Sequence, residues 1–239
     1  NNIKKKICKN LCVKLTIINK FFLLNKKKVT KKKLSNFTVK ALDCVNITIK
    51  KGDRVGLLGR NGSGKSTFLR SLAGVYIPDS GILTINSPVG SLFELNVGTD
   101  EDATGYENIP LLMASRQIEM SKYDEVVKDI EDFTELGDAL NRPLRTYSQG
   151  MKLRIAFAIA TFKQNNQILL MDEVINVGDK QFRKKSDKRI KKMMNKAASL
   201  VLASHSASIL KTHCSRGIIF EKGRIIFDGS INEAINYEI

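Results

Sequence analysis

Apolar and polar positions alternate from Ala41 to Lys50, a period of two that predicts a half-buried strand. Val13 to Asn19 reads as an earlier strand, and residues 24–36 read as a Lys-rich loop between the two. A turn at Lys51-Gly52-Asp53 leads into Arg54-Val55-Gly56-Leu57-Leu58, a short apolar strand, and Ser66 to Ala73 follows as a helix. Pro78-Asp79-Ser80-Gly81 is a tight turn before a strand over Ile82 to Ile85. Between residues 104 and 146 the apolar spacing changes to mixed threes and fours, which predicts helix. Gln149 to Phe162 continues as a strongly apolar helix. Ile168-Leu169-Leu170-Met171 is an unbroken apolar run, as in a strand buried on both faces. A strand over Leu200–Ala203, a helix from Ser206, strands over Ile218–Glu221 and Arg224–Phe227 and a short helix from Ser230 complete the reading. Strands and helices alternate, so the fold class is α/β with a helical insertion.

Residues 59–66, Gly-Arg-Asn-Gly-Ser-Gly-Lys-Ser, give this pattern its chemistry. They match the phosphate-binding loop G-x-x-x-x-G-K-[ST], placed between a strand and a helix N-terminus as that loop requires. Gly59, Gly62 and Gly64 allow the backbone positive φ, which turns N–H groups inward as a nest for phosphate oxygens. Arg60, Asn61, Ser63 and Thr67 complete the candidate nucleotide-binding segment. Lys65 supplies a cation to the terminal phosphates, and Ser66 offers a hydroxyl to Mg²⁺.

Three later segments narrow the class. The apolar run 168–171 ends in Asp172-Glu173, a Walker B pattern in which Asp172 would hold Mg²⁺ through water and Glu173 can polarise the attacking water. Tyr147-Ser148-Gln149-Gly150-Met151 opens the preceding helix, where a Ser and a Gly present a hydroxyl and free N–H groups to an anion. His205 follows the strand 200–203, from which it can reach a γ-phosphate; His213 reads as an ordinary helix residue.

Composition adds less. Net charge is +16, and residues 1–42 hold 13 lysines without Arg, Asp or Glu, which leaves +3 for the rest. Lys4–Lys6, Lys26–Lys28 and Lys31–Lys33 suit a solvated surface, contact with anionic lipid, or nucleic-acid phosphates. No apolar run reaches the ~18 residues of a membrane span, and no secretory signal is visible. Cys8, Cys12, Cys44 and Cys214 lack zinc-like spacing and are expected to be reduced, buried thiols. There is no internal repeat.

In order, these motifs resemble the nucleotide-binding subunit of an ABC transporter over roughly residues 37–238, with Asn176–Asp179 as D-loop and His205 as switch histidine. More finely, they resemble the ATPases that export lipid-linked O-antigen, capsule and teichoic acid. Ser91–Gly98, Thr104–Ile109, Thr146–Met151 and Asp172–Asp179 look like that family's Leu-Glu-Leu-Gly-x-Gly, Thr-Gly-x-Glu-Asn-Ile, Tyr-Ser-x-Gly-Met and Asp-Glu-Val-x-x-Val-Gly-Asp stretches. Glu94 stands where most ABC ATPases place a Gln that meets Mg²⁺ and the membrane partner, and Gln149 replaces the first signature Gly. The aromatic that stacks on adenine is not evident before Ala41-Leu42, Phe37 being a weak substitute.

The resemblance implies a P-loop NTPase fold with a RecA-like core, an antiparallel β subdomain and an α-helical subdomain. Residues 1–36 would form a basic N-terminal strand and loop. Residues 37–239 would form the ABC ATPase domain, with the helical subdomain inserted at about 98–164. It implies ATP and Mg²⁺ as ligands, a head-to-tail homodimer, separate integral membrane permease subunits, and a peripheral position on the cytoplasmic face of the plasma membrane. Catalysis would fall to Glu173, His205 and Lys65; Ser148, Gln149 and Gly150 would face the nucleotide of the other subunit; Ser66, Asp172 and Glu94 would meet the metal. Some family members carry a C-terminal carbohydrate-binding domain, and none is expected beyond Tyr237. The alternative is an ABC-type ATPase acting on nucleic acid or ribosomes through the Lys-rich arm. Such proteins usually pair two cassettes or carry a long coiled coil, and neither pattern is present.

Overall fold

A computed structural model describes residues 11–25, 36–93, 95, 98–162, 167–172 and 180–238. The chain divides into two compact units: the described residues of 1–89, 167–173 and 198–239, and those of 90–166 and 174–197.

In the first unit, β1 (Leu11–Asn25) pairs antiparallel with both β2 (Asn36–Lys50) and β4 (Ser80–Ile85), giving the sheet order β2-β1-β4. Both long strands exceed the sequence expectation. The pairing runs out to Asn25↔Asn36, because the β-prone run Phe21–Leu24 continues the ladder past Asn19. The Lys-rich segment between the strands is therefore 26–35 and lies outside the described residues.

The larger sheet has the order β5-β6-β7-β3-β8-β9. Its strands are β3 (Arg54–Leu58), β5 (Val89–Ser91), β6 (Ile168–Asp172), β7 (Ser199–Ala203), β8 (Arg216–Glu221) and β9 (Arg224–Ser230). β6, β7, β3 and β8 are parallel, and β9 returns antiparallel along β8. Parallel central strands are covered on both faces, and all five residues of β7 are buried accordingly. β9 alternates exposed and half-buried positions, as an outer strand should. Helices α1 (Lys65–Leu72), α6 (Ala207–His213) and α7 (Ile231–Glu238) complete this unit.

The second unit is helical: α2 (Gly105–Ser115), α3 (Tyr123–Thr134), α4 (Gln149–Ala160) and α5 (Lys180–Lys196), with short 3₁₀ turns between α2 and α4. Ile109, Met113, Val126, Ile130, Phe157 and Ile159 are at most 1% exposed at its centre. α4 stops at Ala160 rather than Phe162, and the Thr161 hydroxyl donates to the Phe157 carbonyl at 2.7 Å.

α5 has no counterpart in the sequence reading. Its signal is present: Phe182, Ser186, Ile190 and Met193 recur at helical spacing and are all buried. Nine basic residues in the same stretch of sequence mask it. Against one Asp they make the helix +8, so the small net +3 of residues 43–239 hides a second strongly basic segment. The cation of Arg189 lies 4.3 Å from the Phe133 ring centre and pairs with Asp129, so part of that charge holds the helix to α3.

Candidate functional site

β3 is buried along Val55–Leu58 and delivers the chain to Gly59. Gly59, Gly62 and Gly64 all take positive φ, 131°, 79° and 114°. Two of them are required for a second reason. A Cβ on Gly59 would lie 2.3 Å from the Phe220 carbonyl oxygen, and one on Gly64 would lie 2.8 Å from that of Ala41. The loop is therefore pressed between β8 and β2 and ends as the N-cap of α1. Phe68 and Leu69 anchor that helix, and Phe68 meets the Phe220 ring at 5.2 Å.

Inside the loop two polar groups are buried. Lys65, 8% exposed, turns its ammonium inward to donate to the carbonyls of Gly59 and of Arg60 (3.2 Å for the latter). The Ser63 hydroxyl is buried and has no hydrogen-bond partner among the described residues. A buried donor without a partner costs free energy, which an incoming acceptor would recover. Arg60, Asn61 and Gly62 are exposed at the tip, and Ser66 and Thr67 are half-buried on the first turn of α1. A buried cation, an orphaned hydroxyl and a helix N-terminus in one small loop fit a polyphosphate chain.

The sheet register places other candidates beside this loop. Leu57 of β3 is level with Ala203 of β7, and Ala203 is level with Asp172 of β6. With ~4.8 Å between neighbouring strands, Asp172 lies about 10 Å across the sheet from Leu57. Gly59 is two residues past Leu57, and His205 is two residues past Ala203, so the loop, Asp172 and His205 share the carboxyl-end rim of the parallel strands. Open α/β sheets bind ligands at that rim. His205 is exposed, in the bend before the α6 cap Ser206; Asp172 is half-buried.

Ser148, Gln149 and Gly150 lie in the helical unit. Ser148 is the N-cap of α4, its hydroxyl accepting from the Met151 N–H at 3.2 Å. Ser148 and Gln149 are exposed, and Gly150 is half-buried. Glu94, Glu173 and the stretch 176–179 lie outside the described residues.

Among the described residues no group of three or more His, Cys, Asp and Glu could hold a metal. Ser66 and Asp172 are hard oxygen donors, which fits Mg²⁺, an ion that takes one or two protein oxygens and fills its shell with phosphate and water.

The sequence reading missed the support behind the loop. Gly223, at the β8–β9 turn, donates its N–H to the Ser63 carbonyl and accepts from the Asp43 N–H, both at 2.8 Å. The Asp43 carboxylate pairs with Lys40 and with Arg224 (2.5 Å). These two cations, Lys40 first, hold its pKa down to about 2. Partners some 180 residues apart leave no local signal in the sequence.

The expectation of buried cysteines holds at Cys214 and fails at Cys44, while Cys8 lies outside the described residues. Cys44 is exposed and takes φ 53° in a β-bulge, where Asp43 and Cys44 together face Asn19 alone. Cys214 is buried, and burial pushes its thiol up to about 12.

A mostly parallel sheet with a glycine-rich loop leaving a central strand for a helix is the fold of a P-loop nucleoside triphosphatase. Within that class the chain belongs to the ABC transporter ATPase family, whose model matches residues 42–176. It is 40% identical over 195 residues to the O-antigen export system ATP-binding protein RfbE of Yersinia enterocolitica, covering 82% of this chain and 81% of that protein. It is 38% identical to the O-antigen export protein RfbB of Myxococcus xanthus and 35% identical to the teichoic acids export protein TagH of Shouchella clausii. These matches cover 78% and 82% of this chain but only 43% and 54% of those longer proteins. Among solved structures, a dimeric ATP-binding cassette in a post-hydrolysis state with ADP and Pi superposes with a TM-score of 0.66 at 22% identity, over 92% of this chain and 98% of that one. An ATP-binding subunit of another ABC transporter gives 0.68 at 19%, over 93% and 91%. At these identities the likeness is one of fold. Among the described residues no helix is long and apolar enough to cross a membrane.

Proposed function

We propose that this chain is the ATP-hydrolysing subunit of an exporter that moves a lipid-linked surface polysaccharide through separate membrane permease subunits. The observation that carries the proposal is the 40% identity to an O-antigen export ATPase over four-fifths of both chains. The carboxyl-end rim, with its phosphate loop, Asp172 and His205, supports ATP as the fuel.

In this reading the backbone of Gly59–Gly64 and the Lys65 ammonium hold the phosphates. Lys65 and His205 stabilise charge that develops on the γ-phosphate, and Glu173 orients the attacking water. Ser66 and Asp172, with Glu94, would hold Mg²⁺, which neutralises phosphate charge when bound. Ser148, Gln149 and Gly150 of a second copy face the γ-phosphate and close a head-to-tail dimer through charge-assisted hydrogen bonds. Closing and reopening drive the permease, because the two dimer states bind nucleotide differently. The subunit works peripherally, at the cytoplasmic face of the plasma membrane, and its basic N-terminal segment suits anionic headgroups.

Replacing Glu173 with Gln removes the base and keeps the phosphate contacts. Glu173→Gln is therefore expected to accumulate as an ATP-bound dimer in size-exclusion chromatography, with turnover lowered at least a hundredfold. A variant that stays monomeric with ATP, or hydrolyses at the parent rate, would refute this role.

A further inference from the structure

The Thr104-Gly105-Tyr106-Glu107-Asn108-Ile109 stretch has no part in the chemistry above, yet its residues are among the most densely bonded in the helical unit. Asn108 is fully buried. Its carbonyl oxygen accepts from the Asp100 N–H at 2.7 Å, and its two amide N–H groups, one of them shared, donate to the carbonyls of Asp100 (2.9 Å), Ala103 (3.2 Å) and Thr104 (2.9 Å). One side chain thus winds residues 100–104 around itself. Thr104 and Glu107 cap α2 reciprocally, which fixes the end of this segment.

The wound segment is in turn paired with residues 142–145. The Leu144 N–H donates to Ala103 and the Arg145 N–H to Glu101, both at 2.9 Å, and the Gly105 N–H donates to Arg142 at 3.2 Å. Side chains repeat the pairing: Arg145 bonds Asp102 at 2.5 Å, and Lys152, on α4, bonds Glu101. Gly105 leaves no room for slippage, since a Cβ there would lie 2.5 Å from the Tyr147 hydroxyl and 3.0 Å from the Leu140 carbonyl. Tyr147 is buried, donates to the Ala139 carbonyl, and is followed directly by Ser148.

We infer that Asn108 is a positioning residue for the Ser148–Gly150 turn: it rigidifies residues 100–104, which hold 142–147 and, through Glu101–Lys152, the first turn of α4. This rests on the reading of Ser148–Gly150 as the group that meets the partner's nucleotide. The two motifs, some forty residues apart in sequence, then work as one piece. Residues 98–100, just after the Glu94 stretch, are its input end, so a push from a permease there reaches Ser148 through bonded backbone.

The test is steady-state ATP turnover by the full chain. Asn108→Ala is expected to lower kcat at least tenfold while KM for ATP stays within twofold, because the phosphate loop belongs to the other unit. Asn108→Asp keeps the acceptor but not the donors, and should fall between. Glu101→Lys and Lys152→Glu should each lower kcat, and the double variant, which restores the pair with its signs exchanged, should recover most of it. A folded Asn108→Ala enzyme with kcat within twofold of the parent would overturn the inference. If Asn108→Ala does not fold, the charge-exchange pair decides: rescue supports the inference, and single variants at the parent rate refute it. Ser148→Ala separates the two levels. Its loss of turnover with Asn108→Ala unaffected defeats the positioning role alone, and its retention of full turnover defeats both that role and the reading beneath it.

Discussion

Single residues in this chain divide by whether their partners are local. The glycines of the phosphate loop were legible because their positive φ is a property of a short segment, and all three adopt it. Asp43 was not, since its meaning comes from Arg224 and from the Gly223 turn. Cysteine exposure was likewise hidden, because a bulge at one register shift turns Cys44 outward. Cys44 and Cys214 give a residue-scale prediction. The thiolate is the reactive form. Folding suppresses it at Cys214, whose pKa is raised to about 12, so at pH 8 that thiol stays protonated as well as buried. Brief treatment of the native chain with a maleimide, followed by peptide mass spectrometry, should label Cys44 and spare Cys214. Denaturant should make both react. Equal labelling in the native state would contradict the placement of Cys214.

Elements were legible where one periodicity dominated. The buried run 168–171 and the phosphate-loop strand needed no tertiary information, and the structure extends each sequence-read strand by only a few residues, β1 and β2 excepted. α5 was missed because lysines conceal a narrow buried stripe of Phe182, Ser186, Ile190, Met193 and Met194, and β5 because three residues carry no period. The internal division of 104–146 was equally out of reach: α2 and α3 part at one short 3₁₀ turn, Met120–Lys122, and two more such turns lie between α3 and α4. The start of α2, by contrast, is written in the sequence as a capping box. Thr104→Ala removes that cap and should cost about 1 kcal/mol in urea unfolding. A change under a few tenths would mean that the cap is idle.

At the scale of the molecule, the order of motifs along the chain carried more than any one of them. A phosphate loop, a signature-like turn and a Walker B strand in that sequence define the ABC class, and the family match over 42–176 agrees. We propose residues 1–36 as a basic N-terminal strand and Lys-rich loop, whose strand β1 is the middle strand of the β2-β1-β4 sheet, and 37–239 as the ATPase domain with its helical insertion near 98–164. The compact units add 174–197 to the helical part, which reflects α5 packing on Phe133 and Phe157. Charge at this scale is less simple than the sequence suggested, with the +8 of α5 balanced by acidic residues elsewhere. Whether the chain drives an exporter is tested most directly by what the protein holds in its own membranes. Purification of the tagged chain in mild detergent, followed by quantitative mass spectrometry, should recover a polytopic membrane protein in a one-to-one ratio. That partner should be lost when Glu94 and its neighbours are replaced. Recovery solely from the soluble fraction, with RNA or ribosomal proteins attached, would contradict the export reading.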